Sequence, residues 1–582
     1  MKSIVEDRTY LKDPVLRGFL EKVCAGDERV RVSGPDGSAK ALLTALVRRF
    51  SGKTTLVVVP TLAKAERFCR DLSVFLRDGS VRLYPPWDLL SQDFISSRGD
   101  VEAARVDVLS HLLLGKPLLV VAPVDALMQK VRAGGAVRSY MQTVAIGDFL
   151  DREEFMKKLD EGGYRHVSLV EEKGEYSVRG HVVDVFPPSE TRPLRLIFVG
   201  DEVESIKTFD VDSQRTAEER VDFVLSPARE LVVSEELRKV ALRELKDRAN
   251  EINLPRLIRD RLQDMVANGL SLNPRLLPLF GGSGDEGCVG LFSFLPAGSV
   301  VILNDPYSLE RAGNEYVETL DKAAAKAREE GRFYFEHESY LFSGEELRRG
   351  LETFQEVTFD DLEVERREGG VRPVRLDVTK PSGFREEGVS FKKSERPLQP
   401  LMEKLRVWRE EGNLVNLLCS GEAEMQKMAR LLEDYGLEAR RANGDVIGAL
   451  LKHNGRGELV LSEGRLSGGF IFPRLRLVVL SDEEIFGPKV SRKKRRPVHE
   501  GYFLRSFGEL KEGDFVVHTD HGIGIYRGLE KLAVGDIEND FLNLEYSEGD
   551  KLYIPVDRLD RIQRYIGPDG SAPKVDKLGG TS

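Results

Sequence analysis

The residues whose spacing could support chemistry lie near the start of the chain, in the stretch VSGPDGSAKAL. Gly34 and Lys40 stand at the first glycine and the lysine of the pattern Gly-x4-Gly-Lys-Ser/Thr. In that pattern backbone N–H groups surround the phosphates, the lysine reaches the terminal phosphate, and the hydroxyl binds magnesium. Because Ala39 and Ala41 replace the second glycine and the hydroxyl, the sequence predicts a phosphate loop without its chemistry. An ordinary strand-to-helix turn is the alternative.

The elements that would position this loop are predicted on both sides of it. Val30 and Val32 indicate a strand before the loop, and apolar residues recur at helical spacing from 42 to 50. A second glycine-lysine pair, in SGKTT, precedes an apolar strand instead of following one, which is the wrong order for a phosphate loop. We interpret its Gly52 as the end of the helix.

Two further polar groups could be mistaken for catalytic sites. The carboxylates at 482–484 follow an apolar strand, where an ATPase would hold magnesium, but without a working loop they are read as a polar strand end. His518, Asp520 and His521 are possible metal ligands, yet the two histidines would point to opposite faces of a strand. Hydrogen bonds that fix a turn are the favoured role. We predict no catalytic residue, no metal site and no cofactor for this chain.

Composition limits the class of protein. The 582 residues are 41% hydrophobic and 32% charged, with a net charge of −10, as in a globular protein of several domains. That charge argues against nucleic-acid binding over the whole surface. The four cysteines have no metal or dithiol spacing, no apolar run could span a membrane, and the N-terminus lacks a signal core. We expect a cytoplasmic monomer without membrane contact.

The pattern of apolar runs predicts a multidomain α/β fold. Helices alternate with apolar strands such as TLVVVP and PLLVVAP, which is typical of a parallel sheet, and an alternating stretch within that region predicts an inserted antiparallel module. A second small α/β domain and a C-terminal β-barrel follow. The predicted boundaries are 1–129 and 228–345 for the two parts of the sheet domain, 130–227 for the module, 346–396 for a linker, 397–486 for the second α/β domain, 487–508 for a basic linker, 509–568 for the barrel and 569–582 for a tail.

The C-terminal unit has short apolar strands separated by glycine-containing turns. Leu542, Leu544 and Tyr546 share one face of a predicted strand, and the stretch DRLDRIQRYI is predicted to form one or two helical turns. Such a small, bent barrel has little interior for catalysis, but its strand edges are suited to binding a partner.

Several longer motifs resemble one known family. The stretches VVHTDHGIGIYRGL and LEYSEGDKLYIPVDRLDRIQRYIG resemble the RNA polymerase interacting domain of bacterial transcription-repair coupling factors (Mfd), a domain related to the CarD regulators and expected to be a Tudor-like barrel. The motifs YPPWDLL, GEYSVRGHVVDVFP and LSDEEIFG are also similar to that family, in its order. The resemblance covers essentially the whole chain.

The N-terminal part of that family is similar to the repair protein UvrB, whose phosphate loop is functional. The resemblance implies that the copy in this chain is a degenerate nucleotide site. The stretch LPAGSVVILNDP supports this interpretation, because Asn304 and Asp305 stand where UvrB has its Asp-Glu metal and water site. ATP and Mg²⁺ are accordingly expected in the motor of the full-length relatives and not here.

The resemblance also implies two partners. The inserted module is expected to bind UvrA, a role carried over to Arg179 and then to Arg165, Phe186 and Arg195. A core position for Phe186 and simple surface ion pairs for the arginines are the alternatives.

The barrel is expected to bind the β subunit of RNA polymerase by adding a strand to a sheet edge, with Leu529 and Leu532 in the contact. A core position for either leucine is the alternative.

In the family a DNA translocase follows the barrel, with a domain that masks the UvrA site, whereas this sequence stops at Ser582. As given, the chain is expected to bridge its partners but not to move polymerase, with DNA contacts mainly a matter for the motor. Two other functions stay open: a nucleotide-dependent UvrB-type repair protein and a CarD-like transcription regulator.

Overall fold

The computed structural model of the chain describes residues 13–90, 99–267, 274–280, 288–360, 372–381, 398–442, 446–453, 455–481, 484, 513–518, 522–534, 537–555 and 562–564. The chain divides into two compact units, Met1–Pro488 and Lys489–Ser582.

The helices of the first unit are α1 (Pro14–Ala25), α2 (Ser38–Ser51), α3 (Leu62–Phe75), α4 (Gly99–Leu113), α5 (Val124–Met128), α6 (Gly134–Tyr140), α7 (Arg152–Glu161), α8 (Glu235–Glu251), α9 (Arg256–Ala267), α10 (Pro306–Glu329), α11 (Gly344–Leu351), α12 (Gln399–Glu410), α13 (Glu422–Asp434) and α14 (Val446–Lys452). The strands of both units are β1 (Arg29–Ser33), β2 (Thr55–Val59), β3 (Val81–Leu83), β4 (Leu119–Pro123), β5 (Val131–Arg132), β6 (Gln142–Ala145), β7 (Arg165–His166), β8 (Glu175–Arg179), β9 (Val182–Val185), β10 (Leu194–Val199), β11 (Glu202–Phe209), β12 (Thr216–Arg220), β13 (Asp222–Leu225), β14 (Cys288–Val289), β15 (Val300–Asn304), β16 (Gln355–Asp360), β17 (Val374–Arg375), β18 (Leu414–Cys419), β19 (Arg440–Arg441), β20 (Glu458–Glu463), β21 (Phe470–Phe472), β22 (Leu477–Leu480), β23 (Phe515–His518), β24 (Gly522–Val534), β25 (Ile537–Glu545), β26 (Lys551–Pro555) and β27 (Ile562–Arg564).

The sheet domain is built on a seven-stranded sheet in the order β17-β1-β16-β15-β2-β4-β3. All of its strand pairs are parallel, and β2 and β4 are buried on both faces, as their unbroken apolar sequences predict. The predicted parallel sheet is therefore confirmed.

The predicted linker at 346–396 is wrong for its first part. Strand β16, at 355–360, lies between β1 and β15 in the sheet, and Val357 and Phe359 are fully buried. The charged residues that follow this strand dominate the local composition and hide the alternation of its apolar side chains. Strand β16 therefore belongs to the sheet domain, although it follows the module and the helices after the module in the sequence.

The inserted module is an antiparallel sheet in the order β12-β11-β10-β9-β8-β7, in which only the pair β7 and β8 is parallel. Along β10 buried and less buried residues alternate, as the sequence pattern predicts for a sheet with one face in the core. A short pair, β6 with β13, joins the two ends of the module. The predicted start at 130 is too early, since β5 pairs with β14 of the second part of the sheet domain.

The second α/β domain has the strand order β19-β20-β18-β22-β21, parallel except for the pair β21 and β22. One hydrophobic cluster contains residues of both this domain and the sheet domain. Phe75 on α3 and Phe470 on β21 contribute to it, with ring centroids 6.5 Å apart. The two α/β domains therefore share a core.

The C-terminal unit is an antiparallel sheet in the order β26-β25-β24-β23-β27. Leu542, Leu544 and Tyr546 lie in its core, which confirms their predicted shared face. The predicted helical turns are wrong at 562–564, where β27 pairs with β23. Hydrogen bonds to an unpaired strand edge here outweigh the local helical pattern, and the neighbouring residues of that stretch lie outside the described ranges.

Candidate functional sites

The loop between β1 and α2 is a glycine-containing turn that joins a strand to a helix. Gly34 and Gly37 have φ values of 103° and 53°, which favour glycine, and α2 begins at Ser38 without a side-chain cap. The predicted strand, loop and helix are confirmed. Gly52 follows α2 in the left-handed conformation, which also confirms that the second glycine-lysine pair ends a helix.

The protein's own backbone packs closely against this loop at Gly34. A Cβ at Gly34 would lie 2.1 Å from the carbonyl oxygen of Leu376. The Leu376 N–H donates to the Ser33 oxygen at 3.0 Å, which continues the pairing of β1 with β17. On the other side of the loop, the ion pair with Lys380 lowers the pKa of the Asp36 carboxyl. The loop is thus closed by residues 374–380.

The first turn of α2 is enclosed as well. Lys40 is only 3% exposed, and its Nζ donates to Oδ1 of Asn304 at 2.8 Å. Ala39 and Ala41 are buried, and the Ser38 hydroxyl donates to the Gly468 carbonyl of the second α/β domain. The residues predicted as the degenerate nucleotide site are therefore brought together by protein contacts.

Asp305, the other predicted member of that site, ends β15 in an uncommon conformation. Its φ is 61°, and it precedes Pro306 at the start of α10. Its carboxylate accepts a hydrogen bond from the Ser308 hydroxyl within the same turn. Asp305 is thus engaged in the local structure of the helix start.

Two carboxylates, the buried Asp71 and the partly buried Glu484, hold the loop of the second α/β domain that packs against the first turn of α2. Asp71 on α3 accepts hydrogen bonds from the Ser467 N–H at 2.7 Å and from its hydroxyl at 2.6 Å. Burial raises the pKa of the Asp71 carboxyl to about 6, although the bonds from Ser467 act to lower it. Glu484 accepts from the Gly469 N–H at 2.7 Å. Glu484 is one of the three carboxylates at 482–484 that were predicted to form a polar strand end. The other two, 482 and 483, lie outside the described ranges.

Two of the predicted UvrA-contact residues are accessible on the module. Arg179 is exposed at the end of β8, where its guanidinium donates to the Ser168 carbonyl at 3.2 Å. The Arg165 side chain is 65% exposed and pairs with Glu175 and, at 3.7 Å, with Glu172. Both guanidinium groups are placed where a partner could reach them.

The other two predicted contact residues belong to the module's internal structure. Phe186 is 7% exposed and packs with Val170 and Phe209, so its core alternative is the one observed. Arg195 donates to both carboxylate oxygens of Asp184, at 2.7 and 2.9 Å, and its guanidinium lies 4.6 Å from the centroid of the Phe209 ring. These contacts are satisfied inside the module, which makes Phe186 and Arg195 structural residues.

The junction between module and sheet domain contains a buried arginine that the sequence analysis did not identify. Arg105 on α4 is fully buried and donates to both carboxylate oxygens of Glu230, with Nη2 at 3.0 Å from Oε1. Its guanidinium lies 4.2 Å from the centroid of Tyr84, and the Trp87 Nε1–H donates to Glu230 at 3.1 Å. The available signals in the sequence were the aromatic residues of YPPWDLL and an arginine that lies between apolar residues of the following helix.

In the C-terminal unit, Leu529 is 48% exposed although it lies opposite the buried Leu542. A register shift lies just before this pair, between Tyr526 and Leu529. The backbone of Leu532 pairs with that of Asn539, and the structure describes only the backbone at this position. Residues 529–534 pair only with β25 among the described residues.

His518, Asp520 and His521 of the C-terminal unit are the residues considered in the sequence as possible metal ligands. His518 ends β23, while 520 and 521 lie outside the described ranges. Among the residues that the structure does describe, no group of three His, Cys, Asp or Glu is arranged to hold a metal ion. In the same part of the chain, no helix is long and apolar enough to cross a membrane.

Both the module and the C-terminal unit match known domain families. Residues 143–231 match the UvrB interaction domain, and residues 510–566 match the CarD-like/TRCF RID domain. The chain is 33% identical to the transcription-repair-coupling factor of Myxococcus xanthus over 97% of its own length. It is 28% identical to that of Bacillus subtilis (strain 168) over 99%.

In each of these relatives the match covers 48% of the protein, so the chain spans about half the length of the curated relatives it matches. The resemblance predicted from the motifs is thereby confirmed: the chain is a homologue of transcription-repair-coupling factors and carries both a UvrB interaction domain and a CarD-like RID domain.

Proposed function

We propose that this homologue of transcription-repair-coupling factors is an adaptor of DNA repair, which joins RNA polymerase to the repair protein UvrA. The observation that carries the proposal is the contrast within the first unit. Its phosphate loop is closed by protein groups, whereas Arg165 and Arg179 of the UvrB interaction domain stand exposed. Tethering UvrA at a stalled polymerase would act by raising its effective concentration there.

UvrA binding is assigned to the exposed arginines of the module. Guanidinium groups form charge-assisted hydrogen bonds with carboxylates of a partner, and reversing one charge adds repulsion to the lost contact. Arg179→Glu is expected to weaken UvrA capture by about tenfold or more. Arg243→Glu is the matched control, because that side chain is 68% exposed on α8, outside the module. Unchanged capture by the Arg179 variant would refute the assignment.

RNA polymerase binding is assigned to the C-terminal unit, specifically to the β subunit. The sheet fits the small CarD/Tudor-like barrel predicted from the sequence, and the unpaired side of residues 529–534 is suited to accept another strand. Leu529 supplies an exposed apolar side chain at this edge, and Leu532 lies on the same strand. The proposed contact is therefore a shared sheet with an apolar anchor.

Biolayer interferometry against the isolated N-terminal lobe of the polymerase β subunit tests this contact. Micromolar or tighter binding is expected for the chain, with a loss in Leu529→Arg and Leu532→Arg. Val407→Arg is the matched control, since Val407 is 49% exposed in the second α/β domain and Leu529 is 48% exposed. No binding by the unchanged chain would remove the polymerase half of the proposal and favour a UvrB-type repair protein.

We also propose that the chain itself neither binds nor hydrolyses ATP at this loop. Leu376 and Gly468 occupy the space around the loop, and Lys40 already donates to Asn304. Calorimetry is expected to give ATP binding no tighter than millimolar, and an ATPase assay no turnover. Micromolar, magnesium-dependent binding would instead support the nucleotide-dependent alternative. Binding to polymerase without any UvrA capture would support the CarD-like regulator.

A further inference from the structure

One end of the inserted module exposes several large apolar side chains. Phe149 is 79% exposed, Val221 76%, Val199 60% and Ile146 45%. Single exposed apolar residues are common on protein surfaces, but a group of them in one place is typical of an interaction site. We call these four residues the apolar end of the module.

Backbone pairing brings Phe149 and Val199 onto one face. Phe149 forms an antiparallel bridge with Glu202, and Glu202 also pairs with Val199 across the β10–β11 turn. Residues directly opposite each other in antiparallel strands project their side chains to the same face. The neighbouring residues Phe198 and Val203 are buried on the other face, in the module's core.

The second pair is held beside the first by a turn. The Ile146 N–H donates to the Val221 carbonyl at 3.0 Å, and the Asp148 N–H donates to the Ala145 carbonyl at 3.2 Å. The Gly147 N–H then donates to the Val203 carbonyl at 2.8 Å, next to Glu202. These backbone hydrogen bonds hold Ile146 and Val221 beside the strand that carries Glu202.

The exposed charges next to the apolar end are mainly acidic, although Arg152 follows closely on Leu150, whose N–H donates to the Asp201 carbonyl. Asp201, Glu202 and Asp222 are exposed, and none of them forms an ion pair within the described parts of the chain. The nearby basic groups Lys207 and Arg220 already pair with Glu219 and Glu190. An acidic surface repels both the phosphates of nucleic acids and the anionic headgroups of membranes.

We propose that the apolar end docks a basic amphipathic segment of a partner protein. Apolar side chains of that segment would cover Phe149 and Val199, and its Lys or Arg residues would face the acidic rim. The surface differs in charge from that of Arg165 and Arg179. Strands β9 and β10 separate β8 from β11, and Arg179 and Glu202 lie at the same end of the sheet, so the two surfaces are neighbours. The proposal adds a second docking surface to the proposed capture of UvrA.

The test uses a synthetic amphipathic helix of leucine and lysine as the probe, with a leucine and glutamate helix of the same pattern for comparison. Fluorescence anisotropy with the full chain is expected to show selective binding of the basic helix, weakened by salt. The double variant Phe149→Ser/Val199→Ser is expected to lose about tenfold or more in affinity. The matched control is Val407→Ser, a single exposed valine outside the module.

Charge reversal gives a second, independent readout. The double variant Asp201→Lys/Glu202→Lys leaves the apolar residues in place and is expected to invert the preference, so that the acidic helix binds more tightly than the basic one. Because both positions are exposed, the variant is expected to keep the unfolding midpoint of the unchanged chain.

Several results would overturn the proposal. They are equal binding of both helices, unchanged binding by the serine variant, or binding of duplex DNA or phosphatidylserine vesicles that this variant abolishes. Sedimentation showing a dimer that the serine variant dissociates would identify a second copy of the chain as the occupant. Loss of UvrA capture in the serine variant, alongside its loss in Arg179→Glu, would make the apolar end part of one UvrA interface.

Discussion

The loop after β1 and the inserted module lie in the same unit, yet they treat their polar groups in opposite ways. Lys40 is buried against Asn304, and Ser38 donates to a carbonyl of the second α/β domain. Arg165 and Arg179 remain exposed at the edge of their sheet. The loop is part of the protein's interior, whereas the module leaves these charges exposed to solvent. Access to solvent, more than residue type, separates the two regions.

The largest effect is expected at the junction between the sheet domain and the module, where Arg105 pairs with Glu230. Arg105→Ala would leave Glu230 buried without its partner, so we expect a loss of about 3–5 kcal/mol in the free energy of unfolding. Arg349→Ala, which removes an exposed ion pair with Glu345, should leave the free energy of unfolding nearly unchanged, because solvent screens the pair. Urea denaturation of both variants measures the difference. Equal losses would mean that the buried pair does not hold the junction.

Within the module, burial should separate two residues that the sequence pattern placed together. Phe186→Ala is expected to cost about 3 kcal/mol, because it empties the small cluster with Val170 and Phe209. Arg179→Ala should leave the unfolding free energy unchanged within about 0.5 kcal/mol. The comparison fails if the alanine at 186 is tolerated as easily as the one at 179.

Restoring the motif residues of the loop should not restore nucleotide binding. In Ala39→Gly/Ala41→Thr the Leu376 carbonyl still packs against the loop at Gly34. Calorimetry should therefore again detect no ATP binding tighter than millimolar. The variant should also lose about 2 kcal/mol of stability, from a glycine within a helix and a hydroxyl in a buried position. Micromolar ATP binding by this variant would show that two side chains alone keep the site silent.

The smallest effect concerns pH and the Asp71 contact that helps to close the site. Since burial raises the folded-state pKa of this carboxyl from 3.8 to about 6, its contribution to stability is complete below pH 3.8 and is lost as pH rises through 6. Between pH 5 and pH 7 the loss is about 1 kcal/mol. Asp71→Asn should lack this component in its thermal midpoints.

A second carboxyl supplies the control for that experiment. Asp125 lies in the first turn of α5, and burial raises the pKa of its carboxyl to about 6 as well. Asp125→Asn should remove a similar component, and the double variant should remove both. An Asp71→Asn profile that parallels that of the unchanged chain would contradict the assignment of the pKa.

Much of the architecture could be read from local patterns. Unbroken apolar runs predict the parallel strands, alternation predicts the module, and the left-handed Gly52 follows from its place after an amphipathic helix. The same logic fails where a long-range partner decides. Residues 355–360 became a central strand through pairing with β1 and β15, and 562–564 became a strand through pairing with β23.

The sequence by itself determined which groups of the phosphate-loop pattern are missing, because Ala39 and Ala41 stand where the pattern has a glycine and a hydroxyl. Only the tertiary structure decided what surrounds the loop. Leu376, Gly468 and Asn304 are far from the loop in sequence and fill it in space. Likewise, the family resemblance implied four contact residues in the module, but the fold buries Phe186, engages Arg195 in a pair with Asp184, and leaves Arg165 and Arg179 exposed. A side chain's chemistry is local, whereas its burial is set by everything that packs around it.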